Sequence, residues 1–193
     1  MALPFPALTP FIKAARMDQI ETPKFDQPTK LLIVASPYYK DIADQQLLGA
    51  RASIDAAGAA HETLLVPGAL EIPTAIGLAY RSGQYDGFVA LGCVIRGETT
   101  HYDTVCNDSS RALTLLGLKG ACIGNGILTV ENMQQATVRA DASGQNKGGG
   151  AADAALHLIL HARRFTKPRT GRIAPASDHI LMAGNPDPDQ GTA

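Results

Sequence analysis

The sequence predicts an α/β fold, a three-layer sandwich in which helices cover both faces of a four-stranded parallel sheet. Apolar runs of strand length alternate along the chain with longer segments whose apolar residues recur at helical spacing. This alternation is typical of parallel sheets that lie between helices. The length of 193 residues suits a single compact domain, and a hydrophobic content of 45% is enough to fill its core.

The first half of the predicted core contains two strands and two helices. Lys30–Ala35 is a short apolar run and is assigned to the first strand. Asp41–Ala57 follows as a helix because its apolar residues recur near helical spacing. Glu62–Val66 is a second apolar run of strand length. Ile72–Arg81 is predicted as the second helix, and Pro73 falls in its first turn, where proline is tolerated.

The second half repeats the pattern. Asp86–Ile95 is apolar on both faces, which predicts a central strand. His101–Leu118 is the third predicted helix, and Ala121–Leu128 is a fourth apolar run that glycine interrupts. Two further helices, Glu131–Ala140 and Gly149–Phe165, complete the core. Since right-handed crossovers join parallel strands, few topologies remain, and a flavodoxin-like sheet is the simplest of them.

Prolines mark the limits of the folded domain. Five of the 12 prolines lie in residues 1–28 and four lie in residues 166–193, and each proline fixes φ and lacks a backbone donor. We therefore predict an N-terminal arm at 1–28, a folded domain at 29–165 and a flexible C-terminal tail at 166–193. We expect the aromatic rings of the arm to gain order on a surface such as a neighbouring subunit. These rings belong to Phe5, Phe11 and Phe25.

Composition and charge exclude several classes of protein. The net charge of −1 gives no sign of the basic balance that bulk nucleic-acid binding favours. No apolar stretch is long enough to cross a bilayer, and prolines interrupt the N-terminus where a secretion signal needs an apolar run. The three cysteines are widely spaced and form no CxxC pair, which favours a reducing cytoplasm over a disulfide scaffold or a zinc site.

Polar and glycine-rich segments follow the predicted strands, at the edge where parallel α/β sheets bind ligands. The segments are Ser36–Lys40, Pro67–Glu71, Arg96–His101 and Thr129–Asn132.

Three of these segments hold candidate side chains, each with a structural alternative. Tyr38 and the adjacent Tyr39 can stack on a planar heterocycle or simply pack on their own loop. Glu71 can accept hydrogen bonds from ligand hydroxyls or serve only as a helix start. His101 can move protons near neutral pH beside backbone amides that suit an anion; alternatively, it lies in a first turn that a threonine caps.

Two cations suggest a phosphate site outside these segments. Arg139 ends a predicted helix, and Lys147 precedes three glycines and another helix start. Arginine, lysine and exposed amides together suit a phosphate; a charged helix end beside a flexible turn is the structural alternative. The glycine-rich segments are neither a P-loop nor a dinucleotide fingerprint, because both motifs are incomplete. His157 and His161 share one helix without a third metal ligand.

Four blocks of the sequence closely resemble the lumazine synthase family, in order and at the family's spacing. They are VPGALEIP, ALGCVIRGETTHYDTVCN, GNGILTVENMQQATVRA and NKGGGAADAAL. The resemblance covers roughly residues 30–165. It implies an enzyme of riboflavin synthesis that condenses 5-amino-6-(D-ribitylamino)uracil with 3,4-dihydroxy-2-butanone 4-phosphate to 6,7-dimethyl-8-ribityllumazine, releasing phosphate and water. It also implies no metal, no organic cofactor, and pentamers with active sites between neighbouring subunits.

The resemblance implies a role for each matching position. The residue expected to transfer protons is His101. Tyr38 matches the position that stacks on the pyrimidine, and the main chain of Cys93, Val94 and Ile95 matches the groups that bind the pyrimidine edge. The ribityl chain is expected at Ala69, Leu70 and Glu71. The phosphate is expected at Glu98, Thr99, Arg139 and Lys147.

The sequence departs from the family at two places. Asn125 stands where a second aromatic residue is common, and asparagine can hydrogen-bond to a ligand but cannot stack in the same way. The loop Asp141–Lys147 lacks the GTKAGNK pattern of closed icosahedral shells, which argues against a sixty-subunit shell. A pentamer is the expected basic unit, and the size of the full assembly stays open. Two other functions stay open at this point: a flavin or lumazine carrier without turnover, and a shell protein in which catalysis is secondary.

Overall fold

The structure is a computed structural model that describes residues 20–166. Strands and helices alternate in the predicted order. The elements are β1 (Lys30–Ala35), α1 (Lys40–Ala56), β2 (Ala60–Leu65), α2 (Glu71–Ser82), β3 (Gly87–Ile95), α3 (His101–Leu118), β4 (Ile123–Val130), α4 (Met133–Ala140) and α5 (Lys147–Thr166).

The four strands form one parallel sheet in the order β2-β1-β3-β4, which confirms the predicted flavodoxin-like sandwich. Side chains alternate between the two faces of each strand, so β1 contributes to two separate cores. Leu31 and Ile33 pack with α1 and α5 on one face, and Leu32 and Val34 pack with α2 and α3 on the other. Both faces are buried, which explains why the central strands are apolar without alternation.

The largest difference from the predicted bounds concerns β4. The sequence predicts a strand that ends at Leu128 and a loop that begins at Thr129. In the structure β4 continues to Val130, because Val94 and Ile95 of β3 pair with Thr129 and Val130. The strand length therefore depends on the neighbouring strand rather than on local polarity.

A second difference concerns the start of α5. The sequence predicts a helix from Gly149, but α5 begins two residues earlier, at Lys147. The Oδ1 atom of Asn146 accepts a hydrogen bond of 2.9 Å from the Gly149 amide, which satisfies one of the free donors at the helix start. Bare backbone also lets this helix approach the sheet, since a β-carbon on Gly124 would lie 1.8 Å from the Ala151 carbonyl oxygen.

Phe25, which we assigned to the N-terminal arm, lies against the chain's own core. Its ring packs on the cluster formed by β1, α1 and α5, and its amide donates to the Ala57 carbonyl. The Arg163 guanidinium lies 5.2 Å from the centre of the ring and donates to the Pro28 carbonyl and to Asp86. The other arm phenylalanines, and the tail from residue 167 onward, lie outside the described residues.

Within residues 20–166, no helix combines the length and the hydropathy that a bilayer crossing requires.

Candidate active site

A cleft of about 350 Å³ opens at the carboxyl ends of β1, β2 and β3. We call it the first cleft. Most of the predicted site residues line it: Tyr38, Ala69, Leu70, Glu71, Cys93, Val94, Ile95 and His101. Tyr39, the second candidate for stacking, lines it too, and so do three residues to which the sequence assigned no role: Ser36, Gly68 and Val105. The structure therefore brings these predicted residues together at the carboxyl edge of the first three strands.

The end of β3 offers main-chain groups to the first cleft. Pairing between β1 and β3 ends at Ala35 and Leu91, and the Ser36 amide makes the last bond to Leu91. From Gly92 to Ile95, β3 therefore has a strand partner only on its β4 side. Because each extended residue carries one donor and one acceptor, this open edge can read the donor and acceptor pattern of a planar heterocycle.

The two tyrosines of the β1–α1 loop have different environments. Tyr38 is 73% exposed, whereas the Tyr39 ring packs on the cluster that includes Cys93 and Ile95. The rings meet edge to face, with their centres 5.0 Å apart and their planes at 73°. Burial raises the pKa of the Tyr39 phenol. Tyr39 thus packs against Tyr38. The exposed ring of Tyr38 is the one suited to stacking on a ligand.

Glu71 and Gly68 together form the wall of the first cleft beside β2. Glu71 is the first residue of α2 and is exposed. Its carboxylate folds back over Gly68, since a β-carbon there would lie 2.7 Å from the Glu71 Oε2 atom. The Ser36 hydroxyl donates to the Pro67 carbonyl at 3.2 Å, which ties this loop to the end of β1.

Cys93 lines the first cleft as a neutral thiol. Burial raises the pKa of its Sγ–H group to about 11. A thiol with that pKa carries almost no thiolate at neutral pH, so it lacks the nucleophilic form. The contribution of this position is therefore its backbone and its volume.

His101 is the first residue of α3 and is exposed in the first cleft. The helix starts without a side-chain cap from Thr100, so the alternative of a threonine cap is not found at this residue. The Thr99 hydroxyl accepts only a long bond of 3.4 Å from the His101 amide. Uncapped amides at a helix start suit an anion. Glu98 and Thr99 are exposed beside this turn but outside the lining of the first cleft.

The remaining predicted residues lie elsewhere. Asn125, Arg139 and Lys147 line a second cleft of about 480 Å³ along β4, α4 and α5. Arg139 is half-buried, and one of its nitrogen atoms donates to the Gln135 carbonyl at 3.1 Å. Lys147 is exposed at the start of α5. The two clefts share no lining residue, so the predicted cations and His101 lie in different clefts of the chain.

Asn125 already has a structural partner. Its Oδ1 atom accepts a hydrogen bond of 3.0 Å from the Ile127 amide. Both residues belong to β4, the last strand in the sheet order, where backbone donors would otherwise need water or another partner. The asparagine therefore satisfies its own strand, a role that its sequence position did not reveal.

In the described part of the chain, no three His, Cys, Asp or Glu side chains come together as a metal ion would require.

Comparison with known proteins shows the family of this chain. A sequence model of 6,7-dimethyl-8-ribityllumazine synthase matches residues 28–163. The protein of that name from Jannaschia sp. (strain CCS1) is 60% identical over 147 residues, which are 76% of this chain and 83% of the relative. The one from Sphingopyxis alaskensis is 52% identical over 135 residues, which are 70% of this chain and 96% of the relative. The matched region spans every strand of the sheet and the residues of both clefts. The chain therefore belongs to the 6,7-dimethyl-8-ribityllumazine synthase family.

Proposed function

We propose that this protein carries out the reaction of its family in a site that two copies of the chain complete. The protein is an enzyme by family, and its reaction condenses 5-amino-6-(D-ribitylamino)uracil with 3,4-dihydroxy-2-butanone 4-phosphate. In this proposal the first cleft of one copy binds the pyrimidine, and the second cleft of a neighbour supplies cations to the phosphate.

One observation carries the proposal: the two sets of predicted residues lie in separate clefts. The first cleft has the stacking ring of Tyr38, the Glu71 carboxylate and the open edge of β3. The second cleft has the Arg139 guanidinium and the Lys147 ammonium. A reaction that joins a pyrimidine to a phosphorylated ketone needs both sets within reach of one another. A second copy that places its second cleft against the first cleft meets that need.

Exposed apolar side chains support association between copies. Leu64, Leu65 and Leu70 are 43%, 58% and 38% exposed around the end of β2. On α3, Leu115 is 54% and Leu118 is 81% exposed. Apolar side chains left exposed on a single chain are often covered where protein interfaces form. We propose a homopentamer as the assembly.

The chemistry assigned to His101 follows from its position. Condensation of the pyrimidine's amine with the ketone forms a carbon–nitrogen double bond and releases water. Loss of the phosphate breaks a carbon–oxygen bond. The amine that carries the ribityl chain then attacks the remaining carbonyl carbon, and a second water leaves as the ring closes. Each step moves protons near neutral pH, which suits an exposed imidazole in the first cleft. The leaving phosphate gains stabilisation from the α3 amides and from the neighbour's Arg139.

We also place the enzyme in a reducing compartment, the cytoplasm. All three cysteines are free thiols, and each thiol has a pKa that burial raises. Such thiols persist where the redox balance keeps them reduced.

A complementation assay tests the shared site. His101→Ala disables a first cleft, and Arg139→Ala weakens phosphate binding in a second cleft. With the phosphorylated butanone kept below its wild-type KM, each variant alone should therefore show little activity. In mixed oligomers made by co-expression, about one quarter of the sites would combine an intact first cleft with an intact second cleft. Activity should reappear at that level. Mixed oligomers as inactive as the separate variants would contradict the proposal, because the two residues would then act within one copy.

A further inference from the structure

We infer that Arg96 is a positioning residue for the proposed reaction: its guanidinium fixes the first turn of α3 and thereby orients His101. The inference rests on the proposed role of His101. Arg96 itself lines neither cleft, so it acts through the residues that its side chain contacts.

The Arg96 side chain contacts three residues at once, one in the turn after β4 and two in α3. Its Nε atom donates to the Glu131 carboxylate at 2.9 Å, in the turn after β4. Both Nη atoms lie 3.4 Å from one oxygen of Asp103, in the first turn of α3. The guanidinium carbon lies 4.0 Å from the centre of the Tyr102 ring. The Arg96 backbone amide bonds to the Val130 carbonyl at 2.9 Å, which anchors the base of the side chain.

These contacts act on the residues next to His101. Tyr102 and Asp103 directly follow it in α3, and the helix start has no side-chain cap. Residues 96–100, which precede it, are all exposed and belong to no strand or helix. The guanidinium is therefore the side chain that joins this turn to the ends of β3 and β4. A planar fork that meets two carboxylates and a ring has one preferred orientation, which a flexible ammonium would not impose.

The expected consequence is kinetic. The Arg96 side chain is 41% exposed, and its two carboxylate partners are 52% and 56% exposed. Exposed ion pairs of this kind contribute little to the free energy of unfolding. A small displacement of a proton-transfer group, however, can slow a reaction by one or two orders of magnitude.

The test compares Arg96→Met with Arg111→Met. Arg111 also lies on α3 and pairs with Asp108 at 2.8 Å, but it is far along the helix from His101. We expect Arg96→Met to lower kcat about tenfold or more, with the KM for the pyrimidine within about twofold of wild type. The midpoint of thermal unfolding should match that of Arg111→Met, whose kinetics should equal wild type. A loss of kcat accompanied by an equal rise in both KM values and a large fall in the unfolding midpoint would contradict positioning.

A second variant separates position from charge. Asp103→Ala removes a negative charge beside the α3 helix start, so a purely electrostatic effect would tighten the binding of inorganic phosphate, used here as the probe. If the contact between Asp103 and Arg96 orients the first turn of α3, its removal should instead weaken phosphate binding and lower kcat. Tighter binding with unchanged kcat would overturn the inference.

Wild-type activity is measured in the same series. An inactive wild type would refute the proposed function itself, whereas an active wild type with a fully active Arg96→Met would refute only the role of Arg96.

Discussion

The Oδ1 atom of Asn146 lies directly over the backbone of Gly49 in α1, only 1.9 Å from where a β-carbon on Gly49 would be. The same oxygen accepts the Gly149 amide of α5. Asn146 adopts a left-handed conformation with φ of 46°, which asparagine tolerates better than most residues. Lys147, a predicted phosphate-binding residue, follows directly, so the contact between α1 and Asn146 fixes the position of its backbone.

Gly49→Ala should displace Asn146 and loosen the start of α5. We expect the free energy of unfolding to fall by about 1–3 kcal/mol, as for other overpacked contacts, and the KM for the phosphorylated butanone to rise. Urea unfolding and steady-state kinetics measure the two effects. Gly117→Ala is the matched control, because nothing lies within 4 Å of its added carbon on α3. It should be neutral or stabilising by about 0.5–1 kcal/mol. Equal stability changes in the two variants would show that the Asn146 contact is unimportant.

His101→Ala should slow turnover by roughly a hundredfold or more, because the main proton-transfer group is lost. Binding of either substrate should change little, since the stacking ring and the open edge of β3 remain. Rapid-mixing absorbance measurements with both substrates give kcat and both KM values. A variant with full activity would remove His101 from the mechanism, and a moderate loss would mean that alignment of the substrates provides most of the acceleration.

Arg139→Ala should raise the KM for the phosphorylated butanone by a factor equivalent to about 2 kcal/mol, the loss expected for a charge-assisted contact. The KM for the pyrimidine should stay unchanged, because Arg139 lines the second cleft and not the first. The same assay with one substrate varied at a time measures both constants. An equal rise in both would assign Arg139 to support of the fold.

Cys93 should make the protein less stable as the pH rises above about 9. Its pKa is raised from 9.0 to about 11 in the folded chain, so the unfolded chain loses this proton first. Between these two values the folded state binds more protons, and its stability therefore falls with increasing pH. Cys93→Ala should show a shallower fall between pH 9 and pH 11 in urea unfolding. The same slope in both proteins would contradict the buried neutral thiol; the other two cysteines are present in both and cancel.

The proposed pentamer should have a mass near five times the chain's 20.2 kDa, about 101 kDa. Size-exclusion chromatography with light scattering measures it. A particle of megadalton mass would contradict the expectation drawn from the Asp141–Lys147 loop, and an active monomer would contradict the shared site.

The sequence by itself predicted the order of the elements and the burial of the sheet on both faces. Local signals were sufficient there: apolar runs such as Lys30–Ala35 have strand length, and α1 has helical periodicity. The sequence motifs also placed Tyr38, Glu71 and His101 at the carboxyl edge of the sheet, because parallel strands end at one edge. Family membership followed from the same motifs.

Only the tertiary structure decided which side chains share a cleft. Arg139 and Lys147 lie along β4, apart from the first cleft, because strand order rather than chain order determines what is adjacent. Arg96 meets Glu131 across 35 residues of sequence, and Asn146 reaches Gly49 through helix packing. β4 ends at Val130 because β3 continues beside it. Each of these relationships depends on a partner far away in the chain, and no local pattern of residues encodes such a partner.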